Sequence, residues 1–324
     1  MKHGVKGLVF AGGAWLAAAA APASAALVIN PTYDPGLSAS AQTVIANALA
    51  FYQSTFSDPI TVNLKFYNMN SGLGSSLSFV TTVSYNAYRT ALGLDGTSAN
   101  DTTALANTPG GATNPVTGSG SIKLKTANAR AVGLSGNPGL ISGTSSPCDG
   151  YTGDSCIGLN LGITNDVDLG NGGFSLITVV QHEVDEALGL GSSLRQGTTQ
   201  TNPAAEDLFR FASAGVRSFA NNACGSEPAA FFSIDGGTTN LNQFNNCDNG
   251  GDYGDWVTHT PTQVQDAFTN NSGSPFLTAL STETVALDVV GYDLAATSSV
   301  PEPASMALFG AGIAGLGFLR RKRG

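Results

Sequence analysis

His182, Glu183 and Glu186 are the residues of this sequence whose types and spacing could do chemistry together. On a helix, residues four apart share a face, so His182 and Glu186 would present an imidazole and a carboxylate side by side. Both groups are ligands of divalent metals, and a neighbouring carboxylate can accept a proton from a metal-bound water. The spacing therefore predicts a divalent-metal site, with Glu183 as its general base.

The residues on either side of His182 predict the helix that such a site needs. Apolar side chains flank it on both sides, at Phe174, Leu176, Ile177, Val179, Val180, Leu188 and Leu190. We expect a helix of about four turns that ends near Gly189 or Gly191, where glycine can form the C-terminal cap. A helix with apolar flanks should be buried, and buried charges are costly unless they are paired or bound to a metal. The alternative is a solvated acidic helix face.

The sequence around His182 resembles the active-site motif of the metzincin peptidases, and of the matrixins among them. On the pattern H-E-x-x-H-x-x-G-x-x-H, His182, Glu183 and Gly189 match, whereas Glu186 and Ser192 replace the second and third histidines. The resemblance implies an α+β zincin-like fold, with a mixed sheet that has an edge strand, a central helix carrying H-E-x-x-E and a C-terminal helix. It implies a zinc-type metallopeptidase, or an inactive protein that keeps the scaffold.

The sequence offers three candidates for the third metal ligand. Asp207 and Glu206 rank first, because zincins with a carboxylate ligand supply it downstream of the helix, and His259 is the alternative. Salt-bridged acids and a surface histidine are the plain interpretations of these positions. One histidine with two carboxylates is a hard ligand set that makes the metal a weaker Lewis acid. The preferred metal could therefore shift from zinc towards manganese or iron.

Other segments predict helices and strands around this centre. Helical spacing of apolar residues covers residues 41–56 and 84–94, and alternation predicts a strand over residues 59–67. Residues 157–161 read as a short strand, which the resemblance identifies as the edge strand that binds substrate backbone. The resemblance also identifies residues 277–294 as the closing helix.

Both chain ends predict export. Residues 1–25 combine an early basic start (Lys2 and Lys6), an apolar stretch and a small-residue cleavage site, which is typical of a secretory signal peptide. The alternative, a membrane anchor, is disfavoured because the segment is short and rich in alanine. Residues 26–295 would then form the zincin-like domain, and residues 296–324 a C-terminal sorting signal.

The C-terminal residues resemble the PEP-CTERM sorting tail. Pro301, Glu302 and Pro303 precede an apolar run, residues 306–319, and a basic stop, residues 320–323. As a helix, this run would span about 21 Å, which is short for a permanent transmembrane helix of roughly 20 residues. The resemblance implies processing by an exosortase, in addition to signal peptidase, after transient insertion in the inner membrane. The destination would be the cell surface, outer membrane or extracellular matrix of a Gram-negative bacterium.

Four cysteines in an exported chain favour two disulfides. Three pairings are possible, and we predict Cys148–Cys156 with Cys224–Cys247 because these close the shortest loops.

Charge and the remaining motifs narrow the function further. Residues 26–299 hold 8 basic and 22 acidic residues, a net charge of −14, which disfavours nucleic acid as a partner. No G-x-S-x-G and no phosphate-binding glycine loop occurs, so serine hydrolase and nucleotide-binding functions lack support. Several loop aspartates could bind calcium, although none has EF-hand spacing and turn formation is the alternative: Asp149, Asp154, Asp166, Asp168, Asp248, Asp252 and Asp255.

Overall fold

The computed structural model describes residues 26–143, 147–165, 173–195, 201–219, 229–247, 249–269 and 275–296. The predicted signal peptide, residues 1–25, lies outside these residues, and so does the predicted C-terminal sorting signal, residues 296–324, apart from residue 296. The strands are β1 (Val28–Tyr33), β2 (Thr61–Asn68), β3 (Gly74–Ser78), β4 (Val80–Ser84), β5 (Ser121–Lys125), β6 (Gly139–Leu140), β7 (Thr152–Gly153), β8 (Ser155–Leu159), β9 (Thr164–Asn165), β10 (Phe174–Ser175), β11 (Arg210–Ser213), β12 (Val216–Arg217), β13 (Phe231–Phe232) and β14 (Asn242–Gln243). The helices are α1 (Ala39–Thr55), α2 (Tyr85–Asp95), α3 (Ala99–Asn107), α4 (Thr126–Ala131), α5 (Leu176–Leu188) and α6 (Thr282–Val289), with a short 3-10 helix at Glu206–Phe209. The fold is therefore of the mixed α+β kind that the sequence predicted.

The sheet that supports the site has the strand order β1-β2-β8-β3. The first three strands are parallel, and β3 runs antiparallel to β8, with Leu77 opposite Cys156. Every residue of β8 is buried, as expected of a strand paired on both sides. The prediction that residues 157–161 form the edge strand is therefore wrong. β3 is the edge strand, and the sequence did not predict it, because its glycine and serines have weak strand propensity.

Helices α1 and α5 pack against each other beside this sheet. Ser38 caps α1 by accepting a hydrogen bond from Ala41 N. The apolar residues at helical spacing are buried, apart from Val44, which is partly buried: Ala41, Ile45, Ala48, Leu49 and Tyr52. The hydroxyl group of Tyr52 bonds the Gln181 carbonyl oxygen and Asp185 Oδ1, at 2.8 Å each. The contact fixes α5 against α1 over its central turns.

The end of the described chain closes over α5. Helix α6 lies inside the segment predicted as the closing helix, residues 277–294. After it, the Val290 carbonyl oxygen accepts hydrogen bonds from Tyr88 Oη at 3.0 Å and Asn128 Nδ2 at 2.8 Å, and Tyr292 Oη donates to the Leu188 carbonyl oxygen at 2.8 Å. These buried bonds fix the C-terminal end of α5.

A small antiparallel sheet with the order β12-β11-β13-β14 stands beside the loops of residues 244–247 and 249–269. Trp256 is fully buried there and packs against Phe232 and Phe244. Its backbone N–H donates to the Gln265 carbonyl oxygen at 2.8 Å, which joins two loop segments. The loops that reach the site are thus anchored by an aromatic cluster.

The predicted disulfide Cys148–Cys156 is present. Cys247 is also disulfide-bonded, but the predicted partner, Cys224, lies outside the described residues.

Candidate metal centre

Helix α5 carries the predicted site residues into a cavity. Ser175 caps the helix, its Oγ accepting from Thr178 N, and the helix ends at Leu188 with Gly189 as its C-cap. This agrees with the predicted helix. Its apolar residues are buried apart from Ile177, which is partly buried. His182 and Glu186 are also only partly buried, and they face the cavity.

Three donor atoms meet in this cavity: His182 Nε2, Glu186 Oε1 and Asp255 Oδ1. The imidazole nitrogen lies 3.9 Å from the Glu186 oxygen and 3.6 Å from the Asp255 oxygen, and all three ligand atoms lie within 4.8 Å of one another. Ligands at zinc distances on a tetrahedron are about 3.4 Å apart. The three residues therefore fit a single divalent cation with little movement.

A backbone carbonyl orients the imidazole for metal binding. His182 Nδ1 lies 3.0 Å from the Val264 carbonyl oxygen. Because a carbonyl oxygen only accepts, Nδ1 carries the hydrogen and the metal would bind at Nε2. Metal-binding histidines in proteins are commonly held by such a bond at their other nitrogen.

The two carboxylates are held by neighbouring polar groups. Ser76 of β3 donates its hydroxyl hydrogen to Glu186 Oε2 at 2.5 Å, which leaves Oε1 facing His182. Gln265 Nε2 lies 3.1 Å from Asp255 Oδ1 and donates to it. The edge strand and the loop at Gln265 therefore position one ligand each.

The cluster concentrates negative charge in a buried place. Burial alone would lower the pKa of His182, but Asp255, Glu183 and Glu186 raise it to about 10. Burial raises the pKa of Asp255 to about 7, against the lowering effect of His182. Without a cation, bound protons therefore offset the negative charge of these carboxylates. A divalent cation bound between them would offset the same charge and replace the protons.

Glu183 is buried against the edge strand. Its carboxylate contacts Gly74 so closely that a Cβ at position 74 would overlap it. Burial, together with the charge of Glu186, raises its pKa well above the usual value. It stands outside the group of three donor atoms but lines the same cavity, as a general base would.

The cavity has a volume of about 520 Å³ and is open to the edge strand. Residues 72–76 line one side, α5 forms the floor, and the loops of residues 250–255 and 262–269 form the other side. A segment of extended peptide could lie between β3 and the loops.

The other predicted ligands lie elsewhere. Asp207 accepts hydrogen bonds from Ser193 N at 3.0 Å and Ala204 N at 2.8 Å, and also from Ser192 Oγ. Glu206 Oε2 accepts from Gly191 N at 2.5 Å. His259 Nδ1 lies 2.6 Å from Asp266 Oδ1. Within the described residues, none of the three joins the donor group of His182.

Of the predicted calcium ligands, Asp252 and Asp255 line this cavity, and Asp255 is one of its three donors, whereas the other described ones lie elsewhere. Asp154 forms an ion pair with Arg130 at 2.8 Å, and Asp149 accepts from Gly143 N at 2.9 Å. Asp166, Asp168 and Asp248 lie outside the described residues. In the part of the chain that is described, His182, Glu186 and Asp255 are the one group of such donors within reach of one ion.

The sequence did not single out Asp255 as a partner of His182, nor Ser76 and Val264 as supports. Asp255 had a visible signal, because it precedes a tryptophan in a loop rich in glycine and aspartate. Because Trp256 is expected to be buried, the neighbouring Asp255 is expected to lie close to the core as well. Ser76 and the Val264 carbonyl group carried no comparable signal.

Comparison with known proteins identifies the C-terminal tail. The family model for the PEP-CTERM protein-sorting motif matches residues 299–323, which include Pro301, Glu302 and Pro303. The motif indicates an exported protein that is sorted to the cell surface by an exosortase. Neither the curated proteins nor the solved structures gave a match, so the metzincin resemblance stays a prediction. Among the described residues, no helix is long and apolar enough to span a membrane.

Proposed function

We propose that this protein is an exported metal-dependent peptidase. His182, Glu186 and Asp255 would hold the metal, and Glu183 would be the general base. One observation carries the proposal: a histidine and two carboxylates converge at the floor of a cavity, with the histidine oriented by a backbone carbonyl group. A divalent metal bound there would supply an activated water and polarise a carbonyl group.

The chain's own groups have distinct roles in this proposal. Glu183 takes the proton of the attacking water and is kept in place by its contact with Gly74. Its raised proton affinity suits a group that must accept a proton and later release it. Ser76 and the Val264 carbonyl group hold two of the ligands without touching substrate.

The edge strand provides a place for a peptide backbone. β3 has β8 on one side only, so its other edge can pair with an added strand. Residues 72–76 line the cavity in which the donor group lies. A peptide paired with β3 would therefore cross the site in extended form.

An alternative is a non-catalytic cell-surface or matrix protein in which the metal only stabilises the fold. The H-E-x-x-E sequence favours this second function, because the added carboxylate weakens a metal as a Lewis acid. The two proposals predict the same metal content and differ in cleavage.

Metal analysis and cleavage of a peptide library by purified exported protein test the proposal. We expect about one divalent metal per chain. The variant Glu183→Gln should keep this metal and lose cleavage by roughly 100-fold or more, because only the proton acceptor is removed.

Glu206→Gln is the matched control. Glu206 is buried outside the donor group, and the glutamine carbonyl oxygen can keep the hydrogen bond from Gly191 N, so cleavage should persist. Metal without any cleavage by wild type would favour the structural alternative. Absence of metal from carefully prepared protein would contradict the site itself.

A further inference from the structure

Gln265 places the end of its side chain at the metal centre. It is fully buried, and its Nε2 lies 3.1 Å from Asp255 Oδ1 and 3.5 Å from His182 Nε2. These separations are like the 3.6 Å between the two donor atoms themselves. The terminal atom of Gln265 therefore stands where a further ligand of the same cation would stand.

The orientation of the amide group has an electrostatic consequence. Gln265 Oε1 is buried and has no hydrogen-bond partner among the described residues. Its Nε2 faces the donor group but has no lone pair available for a metal, and its hydrogens would point towards a cation. A half-turn of the last side-chain torsion exchanges the two atoms and directs the carbonyl oxygen at the cation.

The backbone at Gln265 is fixed independently of this turn. Gln265 N donates to Glu283 Oε1 at 3.1 Å, and the Gln265 carbonyl oxygen accepts from Trp256 N at 2.8 Å. Glu283 Oε1 also accepts from Trp256 Nε1 at 3.1 Å. The side chain can thus turn at its end while its root stays beside Asp255.

We propose that Gln265 is a fourth metal ligand, through Oε1, together with His182, Glu186 and Asp255. The inference rests on the metal site of the proposed function but not on its peptidase activity. It gives a set of one nitrogen and three oxygen donors, which suits hard cations such as Mn²⁺ better than a histidine-rich set does. A metal held by four protein groups keeps a place for water only if its coordination number exceeds four.

Titration of the metal-free exported protein with Mn²⁺ tests the proposal without reference to activity. Gln265→Leu should weaken binding by at least about 10-fold, because an oxygen ligand is lost. Gln181→Leu is the matched control, since Gln181 is also fully buried but its Oε1 accepts from Leu277 N instead. The Mn²⁺ affinity of Gln181→Leu should stay within about 2-fold of wild type, in contrast to the weaker binding of Gln265→Leu.

A crystal structure of the Mn²⁺-bound protein decides between a ligand and a mere hydrogen-bond donor to Asp255. We expect a Gln265 side-chain oxygen at about 2.0–2.3 Å from the metal. A metal bound by the other three residues, with the Gln265 amide turned away from it, would overturn the proposal even if Gln265→Leu weakens binding.

Gln265→Glu provides a second variant in case Gln265→Leu does not fold. It keeps an oxygen at the same place and should bind Mn²⁺ at least as tightly as wild type, whereas weaker binding would argue against the ligand. Wild type that binds neither Mn²⁺ nor Zn²⁺ would refute this inference and the metal site together. Wild type that binds Mn²⁺ but cleaves nothing would refute only the peptidase.

Discussion

At the scale of single residues, the proposed metal site depends most on the side chain of Asp255. It is the strongest of the charges that raise the pKa of His182, and its oxygen is the nearest carboxylate oxygen to the imidazole Nε2. Asp255→Asn keeps the shape of the side chain and removes the charge. We expect metal affinity to fall by at least about 10-fold.

Asp255→Asn should also lower the pKa of His182. In metal-free protein, the pKa of His182 should fall from about 10 towards the usual value, because the largest raising charge is gone. An NMR titration of the imidazole measures this shift. An unchanged pKa would show that Asp255 and His182 are not in contact in solution.

Glu186→His would restore the usual pair of histidines on one helix face. We expect tighter zinc binding and faster cleavage, because the less anionic ligand set leaves the metal a stronger Lewis acid. Glu186→Gln, which removes the charge and adds no imidazole, should instead bind zinc more weakly than wild type. Zinc binding and peptide cleavage measured side by side check both changes, and loss of binding in both variants would contradict the expectation.

The residues of the site differ in how far the sequence could reveal them. His182, Glu183 and Glu186 were visible because helical spacing fixes which side chains share a face. Asp255 lies in a loop without periodicity, so its approach to His182 depends on the packing of Trp256. Asp207 was the preferred third ligand by resemblance, but its carboxylate is engaged by the Ser192–Ser193 turn and Ala204 N.

At the scale of elements, the edge strand β3 places the general base. Gly74→Ala would put a methyl group where the Glu183 carboxylate lies. We expect cleavage to fall by about 10-fold or more, because Glu183 must move. Metal affinity should hold, since Glu183 is not in the donor group. Cleavage assays and metal titration on the same preparation separate the two effects.

Gly110→Ala is the control for this change. A Cβ at position 110 meets nothing within 4 Å. Equal effects of the two variants would mean that the contact between Gly74 and Glu183 has no special role.

The sequence predicted the elements with strong periodicity and missed those without it. Helices α1 and α5 and strand β2 follow from apolar spacing. β3 is built of glycine, serine and one leucine, and it becomes a strand only because β8 offers it an unpaired edge. Its identity as the edge strand is therefore a tertiary effect that local patterns do not contain.

At the scale of the whole molecule, buried acids away from the metal centre make stability depend on pH. Burial raises the pKa of Asp58 to about 8, and it raises those of Asp95 and Asp288 to about 7. Between the unfolded and folded pKa values, the native state binds more protons than the unfolded state. The free energy of unfolding should therefore fall as pH rises from about 4 to about 8, the interval set by these pKa values.

Asp58→Asn tests this dependence. Asp58 Oδ2 accepts a hydrogen bond from Asp293 N at 3.1 Å, and the asparagine carbonyl oxygen can keep it. The free energy of unfolding of the variant minus that of wild type should be larger at pH 9 than at pH 5. We expect a difference on the order of several kcal/mol, because each pKa unit is worth about 1.4 kcal/mol. Urea unfolding at both pH values, with chelator present to exclude metal effects, measures the difference. Parallel pH profiles for the two proteins would contradict the assignment.

The sorting motif determines which C-terminal residues the exported protein keeps. Residues 299–323 match the PEP-CTERM motif, and the motif implies processing by an exosortase. The basic residues 320–323 would stay on the cytoplasmic side, because positively charged flanks are retained there. Release to the cell surface then requires a cut on the N-terminal side of this cluster. We expect exported protein to lack residues 320–323.

Intact-mass measurement of exported protein gives the C-terminus directly. Replacing Pro301, Glu302 and Pro303 by alanine should block the cut, so this variant should keep its tail and fractionate with the inner membrane. The replacement lies outside residues 26–296, in which all of the described structure lies, so the metal content of the solubilised variant should equal that of wild type. Exported wild type whose mass includes residues 306–323 would contradict the cut, because the basic cluster would then have crossed the membrane intact.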